Sequence, residues 1–225
     1  MTLHPSSSAT STMPLLDPLS SVAASLRKDK IIPDVIPENF TPSILFSVTW
    51  SNKDVMLGNT LTTTDTQDEP HVQITPMGAI EETESSIPTY TLAMLDPDAP
   101  SHTDPKFGPF RHWLISGLKP PTPGEIIAAA SAERDLLAPL PDPLSATSTK
   151  AAITPYRPPG PSPGTGMHRY IFLLFQEPPG GYALPTDAPE FGSELESRRS
   201  WSGLEFAKRY ELTLVGANYF TLFSE

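Results

Sequence analysis

Three short stretches of this sequence hold most of the side chains able to do chemistry. "LDPDAPS", residues 95–101, sets Asp96 and Asp98 two positions apart and braces them with Pro97 and Pro100. "FRHWLI", residues 110–115, carries His112, and "GTGMHRYIFLLF", residues 164–175, carries His168 and Tyr170. Two carboxylates, two imidazoles and a phenol suit three kinds of work. An Asp-x-Asp pair with two histidines can ligate a divalent cation, but Pro97 stiffens the span and no oxygen-rich cage is evident. Paired carboxylates can run acid/base chemistry such as glycosidic cleavage, but nothing supplies a sugar platform. The third use is anion binding, with His112, His168 and Tyr170 as donors and the carboxylates orienting and charging the rings. Each histidine taken alone is more simply a core residue with an internal partner. There is no Gly-x-Ser-x-Gly elbow and no Walker loop, and no serine stands out as a nucleophile.

Strands must position these groups. "TYTLAML", residues 89–95, alternates and would deliver Asp96 and Asp98 to a rim. Alternation in the second stretch puts Phe110, His112 and Leu114 on one face, with Arg111, Trp113 and Ile115 on the other. In the third, His168, Tyr170 and Phe172 share a face opposed by Arg169 and Ile171. Gly164 and Gly166 allow close backbone approach and leave N–H groups available. Further strand signals lie at 43–50 and 71–77, and "YELTLVGANYFTLF" closes the chain with two short apolar segments.

Helices are fewer. "DPLSSVAASLRKDK", residues 17–30, has Asp17 as cap, Pro18 in the first turn and an apolar stripe of Leu19, Val22, Ala23 and Leu26. "SGLEFAKRY" reads as a helix with Ser202 and Glu205 as a capping box, and "GEIIAAASAERDLL" is helical by propensity. Residues 138–163 are rich in Pro, Ser and Gly and read as a long loop. Residues 1–16 read as a flexible tail, and 17–225 as one domain with a helical and Pro-rich insertion near 123–163.

Composition narrows the function. The chain has 225 residues and a formal net charge of −11. Such an acidic balance disfavours nucleic acid and anionic membrane surfaces. No Lys or Arg occurs between Asp54 and Pro105, so a bound anion needs local donors. Prolines number 28, which demands many loops. The lack of cysteine excludes disulfides, thiolate metal sites and thiol catalysis, and suits the cytoplasm. No secretory signal and no transmembrane run is evident.

The three motifs, in order, resemble the phosphatidylethanolamine-binding protein family, whose members include the Raf kinase inhibitor protein and a yeast carboxypeptidase Y inhibitor. "LRKDKIIPDVIPENF" and "LGNTL" resemble the N-terminal part of fungal members, and the likeness runs from about Leu19 to the end. The resemblance implies a mainly β fold, with a large antiparallel sheet packed on a smaller one and short peripheral helices. It implies a pocket for phosphate, phosphorylethanolamine or acetate. By motif the ligand-binding residues are Asp96, Asp98, Ala99, Pro100, Phe110, His112, Gly160, Pro161, His168 and Tyr170, with Asp98 holding the turn or a supporting contact. It also implies a cis Ala99–Pro100 bond. Phe110 stands where many members have tryptophan, and Gly108-Pro109 replaces more polar residues.

The functional expectation is therefore a non-enzymatic regulator or inhibitor, without cofactor or metal. It would bind a small anion or phospholipid headgroup, and its partner would be a serine carboxypeptidase. A kinase-pathway role and a small hydrolase or isomerase using His112 and Asp96 are the alternatives. Anion binding through charged histidines would weaken as pH rises.

Overall fold

The computed structural model describes residues 18–51, 53–75, 87–122, 124–125, 127–128, 145–148 and 150–224. The expected tail at 1–16, the cap Asp17 and most of the expected helix and loop between 123 and 144 lie outside these residues. The strands are β1 (Leu45–Trp50), β2 (Lys53–Asp54), β3 (His71–Thr75), β4 (Tyr90–Asp96), β5 (Phe110–Lys119), β6 (Thr147–Ser148), β7 (Gly166–Gln176) and β8 (Thr213–Ser224). The helices are α1 (Pro18–Lys28), the single turn α2 (Ile31–Asp34), α3 (Leu195–Arg198) and α4 (Gly203–Arg209).

The strands form two antiparallel sheets, a three-stranded one ordered β2-β1-β3 and a five-stranded one ordered β6-β5-β4-β7-β8. This is the mainly β, large-on-small arrangement that the resemblance implies. β4 and β7 sit at the centre of the large sheet, and every residue of β4 is buried. A strand covered on both faces needs apolar side chains on both, and "YTLAML" supplies them.

One face of the large sheet meets the small sheet. Leu92, Met94, Tyr170, Phe172, Leu174 and Phe220 pack there against Phe46, Val48, Trp50, Val72 and Ile74. Trp50 meets Phe220 edge-on at 5.4 Å, and Tyr170 stacks on Phe220 at 5.0 Å. Each such aromatic, fully buried, stabilises the fold by about 1.5–3 kcal/mol. The other face meets the helices: Ala93, Leu95, Ile171, Leu173 and Phe175 pack with Val22 and Leu26 of α1 and Phe206 of α4. Ser202 caps α4 by accepting from the Glu205 backbone N–H.

Two expectations need correcting. "YELTLVGANYFTLF" forms one continuous strand, β8, rather than two segments. Gly216 lets it run through, because a Cβ there would press on the Ile44 carbonyl and the Phe46 ring. A bulge near Leu214–Gly216 absorbs the change of register.

The second correction concerns β5. Strict alternation would group Leu114 with Phe110 and His112. In the structure Asp96 pairs with Phe110 and Leu95 with Arg111, but Met94 pairs with Trp113. His112 is thus the extra residue of a β-bulge, and the bulge reverses the alternation. Phe110, His112, Trp113 and Ile115 end up on the small-sheet side, near Tyr170, while Arg111 and Leu114 point to the helices.

The loop after the undescribed stretch is irregular, as expected, yet it is pinned. Thr154 and Leu114 exchange both backbone hydrogen bonds at 3.1 Å, and the Thr154 side chain is fully buried.

Arg169 ties the layers together on the helix side. Its Nε and Nη2 donate to the two Asp98 oxygens at 2.9 and 2.8 Å, and its backbone N–H donates to Asp98 at 2.9 Å. Its Nη1 donates to the Asp34 carboxylate and the Asp29 carbonyl, both at 2.9 Å. Asp98 is 2% exposed and Arg169 5%. Replacing Asp98 by Ala strands a buried guanidinium and is expected to cost about 3–5 kcal/mol. Asp34 is 43% exposed at its side chain, so Asp34→Ala should cost about 1 kcal/mol or less. Urea unfolding of the two variants checks the ranking; equal losses would refute it.

Candidate functional site

β4, β5 and β7 end together beside a cavity of ≈ 240 Å³. It is lined by Asp96, Ala99, Pro100, Phe110, His112, Gly160, Pro161, His168 and Tyr170, so nine of the ten residues singled out in the sequence meet there. The tenth, Asp98, is not in the lining. Its carboxylate is taken by Arg169 and by His102 Nδ1, the latter at 2.9 Å. Burial pushes Asp98 up, but the Arg169 hydrogen bonds and charge outweigh it and hold it below the usual carboxylate value. Asp98 fixes the wall from behind.

The wall itself is tightly held. Asp96, the last residue of β4, accepts from the Asp98 backbone N–H through Oδ1 at 2.8 Å. Its Oδ2 accepts from His168 Nδ1 at 2.8 Å. The Ala99–Pro100 bond is cis, as are Ile32–Pro33 and Gly108–Pro109. The Phe107 N–H reaches back to the Ala99 carbonyl at 3.0 Å. A Cβ on Gly108 would run into the Pro97 carbonyl, so this turn requires glycine.

The histidines divide the labour differently from the expectation. His168 has both ring nitrogens occupied inside the protein: Nδ1 by Asp96, and Nε2 by the Thr165 hydroxyl at 3.0 Å. It braces the wall rather than offering a free donor. His112 is the ring with a nitrogen to spare. Its Nδ1 donates to the Arg157 carbonyl at 2.8 Å, which leaves Nε2 without a protein partner among the described residues. Burial pushes its pKa down to about 4; the Asp96 charge opposes this only in part, and Arg198 and Arg157 add to it. The expectation of a histidine charged by its carboxylate therefore fails for His112: Asp96 pairs with His168, and the His112 ring is buried and neutral at neutral pH. Tyr170 is pushed up by burial and by the charges of Asp96 and Asp98, so its hydroxyl keeps its proton and serves as a donor.

Sequence reasoning missed Phe107, Arg157, Pro158, Ser162, Leu195 and Arg199, which complete the lining. The two arginines matter most. Arg157 lies on the Pro-rich loop, its backbone N–H bonded to the His112 carbonyl at 2.9 Å. Arg199 follows α3, its guanidinium 4.0 Å from the Phe107 ring centre. A basic residue three positions before Gly160, in a chain poor in basic residues, was the available signal. The buried Arg198 seals the back by donating to the His112 and Pro155 carbonyls, both at 2.9 Å. Among the described residues no group of three or more His, Cys, Asp or Glu is placed to hold a metal ion. Nor is any described helix long and apolar enough to cross a membrane.

Comparison with known proteins matches residues 51–220 to the phosphatidylethanolamine-binding protein model. The chain belongs to the phosphatidylethanolamine-binding protein family. It is 33% identical to the carboxypeptidase Y inhibitor of Saccharomyces cerevisiae, over 87% of this chain and 92% of the yeast protein. It is 30% identical to FLOWERING LOCUS T of Arabidopsis thaliana over 66% of each chain. Among solved structures it is similar to the carboxypeptidase Y inhibitor complexed with its cognate proteinase, with TM-score 0.68 and 27% identity over 93% of this chain and 98% of that one. A family member from Plasmodium vivax shares the fold, with TM-score 0.66, 23% identity, and coverage of 90% of this chain and 97% of its own.

The cavity of this chain thus has a neutral, buried His112 in its lining, and this has a consequence for acid stability. Above pH 6.5 His112 is neutral in both the folded and the unfolded chain. Between 6.5 and about 4 only the unfolded chain takes up the proton. Folded stability present at neutral pH is therefore lost as pH falls through that window, on the order of 3 kcal/mol for this group. His112→Gln should flatten that part of the profile of unfolding free energy against pH. An unchanged slope would show that His112 is not the group responsible.

Proposed function

We propose that this protein is a non-enzymatic, cytoplasmic binder of phosphate-bearing anions that inhibits a serine carboxypeptidase. The observation that carries the inhibitory half is the likeness to the yeast inhibitor, which spans nearly the full length of both chains and extends to its structure in complex with the proteinase. The anion-binding half rests on the cavity. It gathers the Tyr170 hydroxyl, His112 Nε2 and two arginines around a space fit for a small oxyanion. The hydrolase alternative needs Asp96 and His112 as an acid/base pair, whereas the Asp96 carboxylate is committed to His168 and the Asp98 N–H.

A phosphate oxygen facing the lone pair of a neutral His112 is repelled unless a proton lies between them. Binding should therefore take up a proton and weaken as pH rises above the second pKa of the phosphate group. Calorimetry of inorganic phosphate binding in buffers of different ionisation enthalpy measures that uptake. His112→Gln should abolish it; uptake that persists in the variant would move the proton elsewhere.

Inhibition is tested with purified carboxypeptidase Y and a chromogenic peptide substrate. The full chain should suppress hydrolysis, and hydrolysis unaffected by a large molar excess would overturn the inhibitory reading. Deleting residues 1–16 should weaken inhibition. Full inhibition by the shortened chain would leave the domain surface as the inhibitory element.

A further inference from the structure

The charges around the pocket mouth are unequal. Among the described residues Asp96 is the one acidic side chain in the lining, and its carboxylate already accepts from His168 and the Asp98 N–H. Opposed to it are two guanidinium groups, Arg157 and Arg199. Arg157 is exposed at its side chain and forms no ion pair among the described residues. Its main chain is clamped on both sides to His112, N–H to carbonyl at 2.9 Å and carbonyl to ring at 2.8 Å. The side chain therefore starts from a fixed point beside the pocket base. Its positive charge is felt there, being one of the causes that lower the proton affinity of His112.

Arg199 is oriented by stacking on Phe107, which leaves the in-plane N–H groups of the guanidinium available for a planar anion. The nearest acid to it is Glu196, at 3.7 Å and 76% exposed, a long and solvent-screened contact that holds little. A ligand with a second anionic group would meet two donors.

We propose that Arg157 and Arg199 make this pocket selective for phosphate esters that bear a further carboxylate, against those that lack one, such as phosphorylethanolamine. The inference rests on the anion-pocket reading above and sharpens its ligand class. Specificity here is a difference between two binding energies. Both kinds of ligand can carry an ammonium group, so the difference lies in the charge-assisted hydrogen bonds that the guanidinium groups donate to a carboxylate, which one ligand has and the other lacks.

O-phosphoserine and phosphorylethanolamine differ by one carboxylate and make the clean comparison. Calorimetric titration of the full chain at low salt should find O-phosphoserine tighter by about tenfold. The ratio should shrink as salt is raised. In Arg157→Gln and Arg199→Gln it should fall toward unity, with retained binding of inorganic phosphate showing that the pocket itself is kept in each variant. Equal affinity in the parent chain, or a ratio that survives in both variants, overturns the selectivity while leaving the anion pocket standing. Failure of inorganic phosphate, O-phosphoserine and phosphorylethanolamine alike to bind overturns the pocket itself and the selectivity with it. Phosphatidylcholine vesicles containing phosphatidylserine or phosphatidylethanolamine separate the sources of the headgroup. Sedimentation with the serine lipid that O-phosphoserine displaces assigns a membrane source, and binding of the free compound alone assigns a soluble one.

Discussion

The buried ion pair between Arg169 and Asp98 is the constraint on which the pocket depends. One guanidinium joins the start of β7, the turn after β4 and the α1–α2 corner. Asp96 and His168 lie 72 positions apart in sequence; the β4–β7 ladder brings their strand ends together, and this ion pair fixes the turn from which the carboxylate is presented. Ion pairs of this kind seldom add net stability over an apolar replacement, because desolvating both partners is costly. What this one contributes is placement. Asp98 is held on the far side of the turn, and its backbone N–H is thereby aimed at the Asp96 carboxylate. The carboxylate is then left with one direction to serve, that of His168.

The same arrangement explains which parts of the molecule could be read from the sequence. β4 and β7 announce themselves because strands buried on both faces must be largely apolar, and "TYTLAML" and "HRYIFLLF" are, with their polar residues kept to the ends and to Thr91. The α4 cap is legible because Ser202 and Glu205 stand at the spacing that a helix start requires. The face of His112 was not legible. Its position depends on a bulge, and a bulge inserts one residue with no compositional mark in "FRHWLI". β8 was read as two pieces because Gly216 looks like punctuation, whereas its role is to let Ile44 and Phe46 approach the strand.

The site was legible in its identities more than in its roles. Nine of the ten chosen residues line one cavity, since each belongs to a motif that ends a strand at the same edge. Which histidine meets which carboxylate is decided by three-dimensional pairing, and spacing does not contain it. Asp98 was grouped with the ligand residues because it neighbours Asp96; its partner Arg169 sits on the opposite face of β7 from His168 and draws it away. Arg157 and Arg199 escaped notice because each comes from an irregular segment with no period to mark it.

A formal net charge of −11 would seem to oppose an anion site, and the pocket shows how the opposition is met. Long-range attraction is screened within about 8–10 Å at physiological salt, so the distant acidic surface acts weakly at the base of a cavity. What counts is the immediate shell, and there the carboxylates are engaged: Asp98 is paired with Arg169, and Asp96 accepts from His168 and the Asp98 N–H. Arg157 and Arg199 remain as the local excess. The burial that keeps His112 neutral removes a cation from the base, so charge recognition is shifted outward to the mouth. On the proposed reading the base selects for a group that can share a proton, and the mouth selects for the charge around it. Two such filters would be separable, so that the ligand class could change through rim residues on irregular segments while the strands and the Asp96–His168 wall stay as they are.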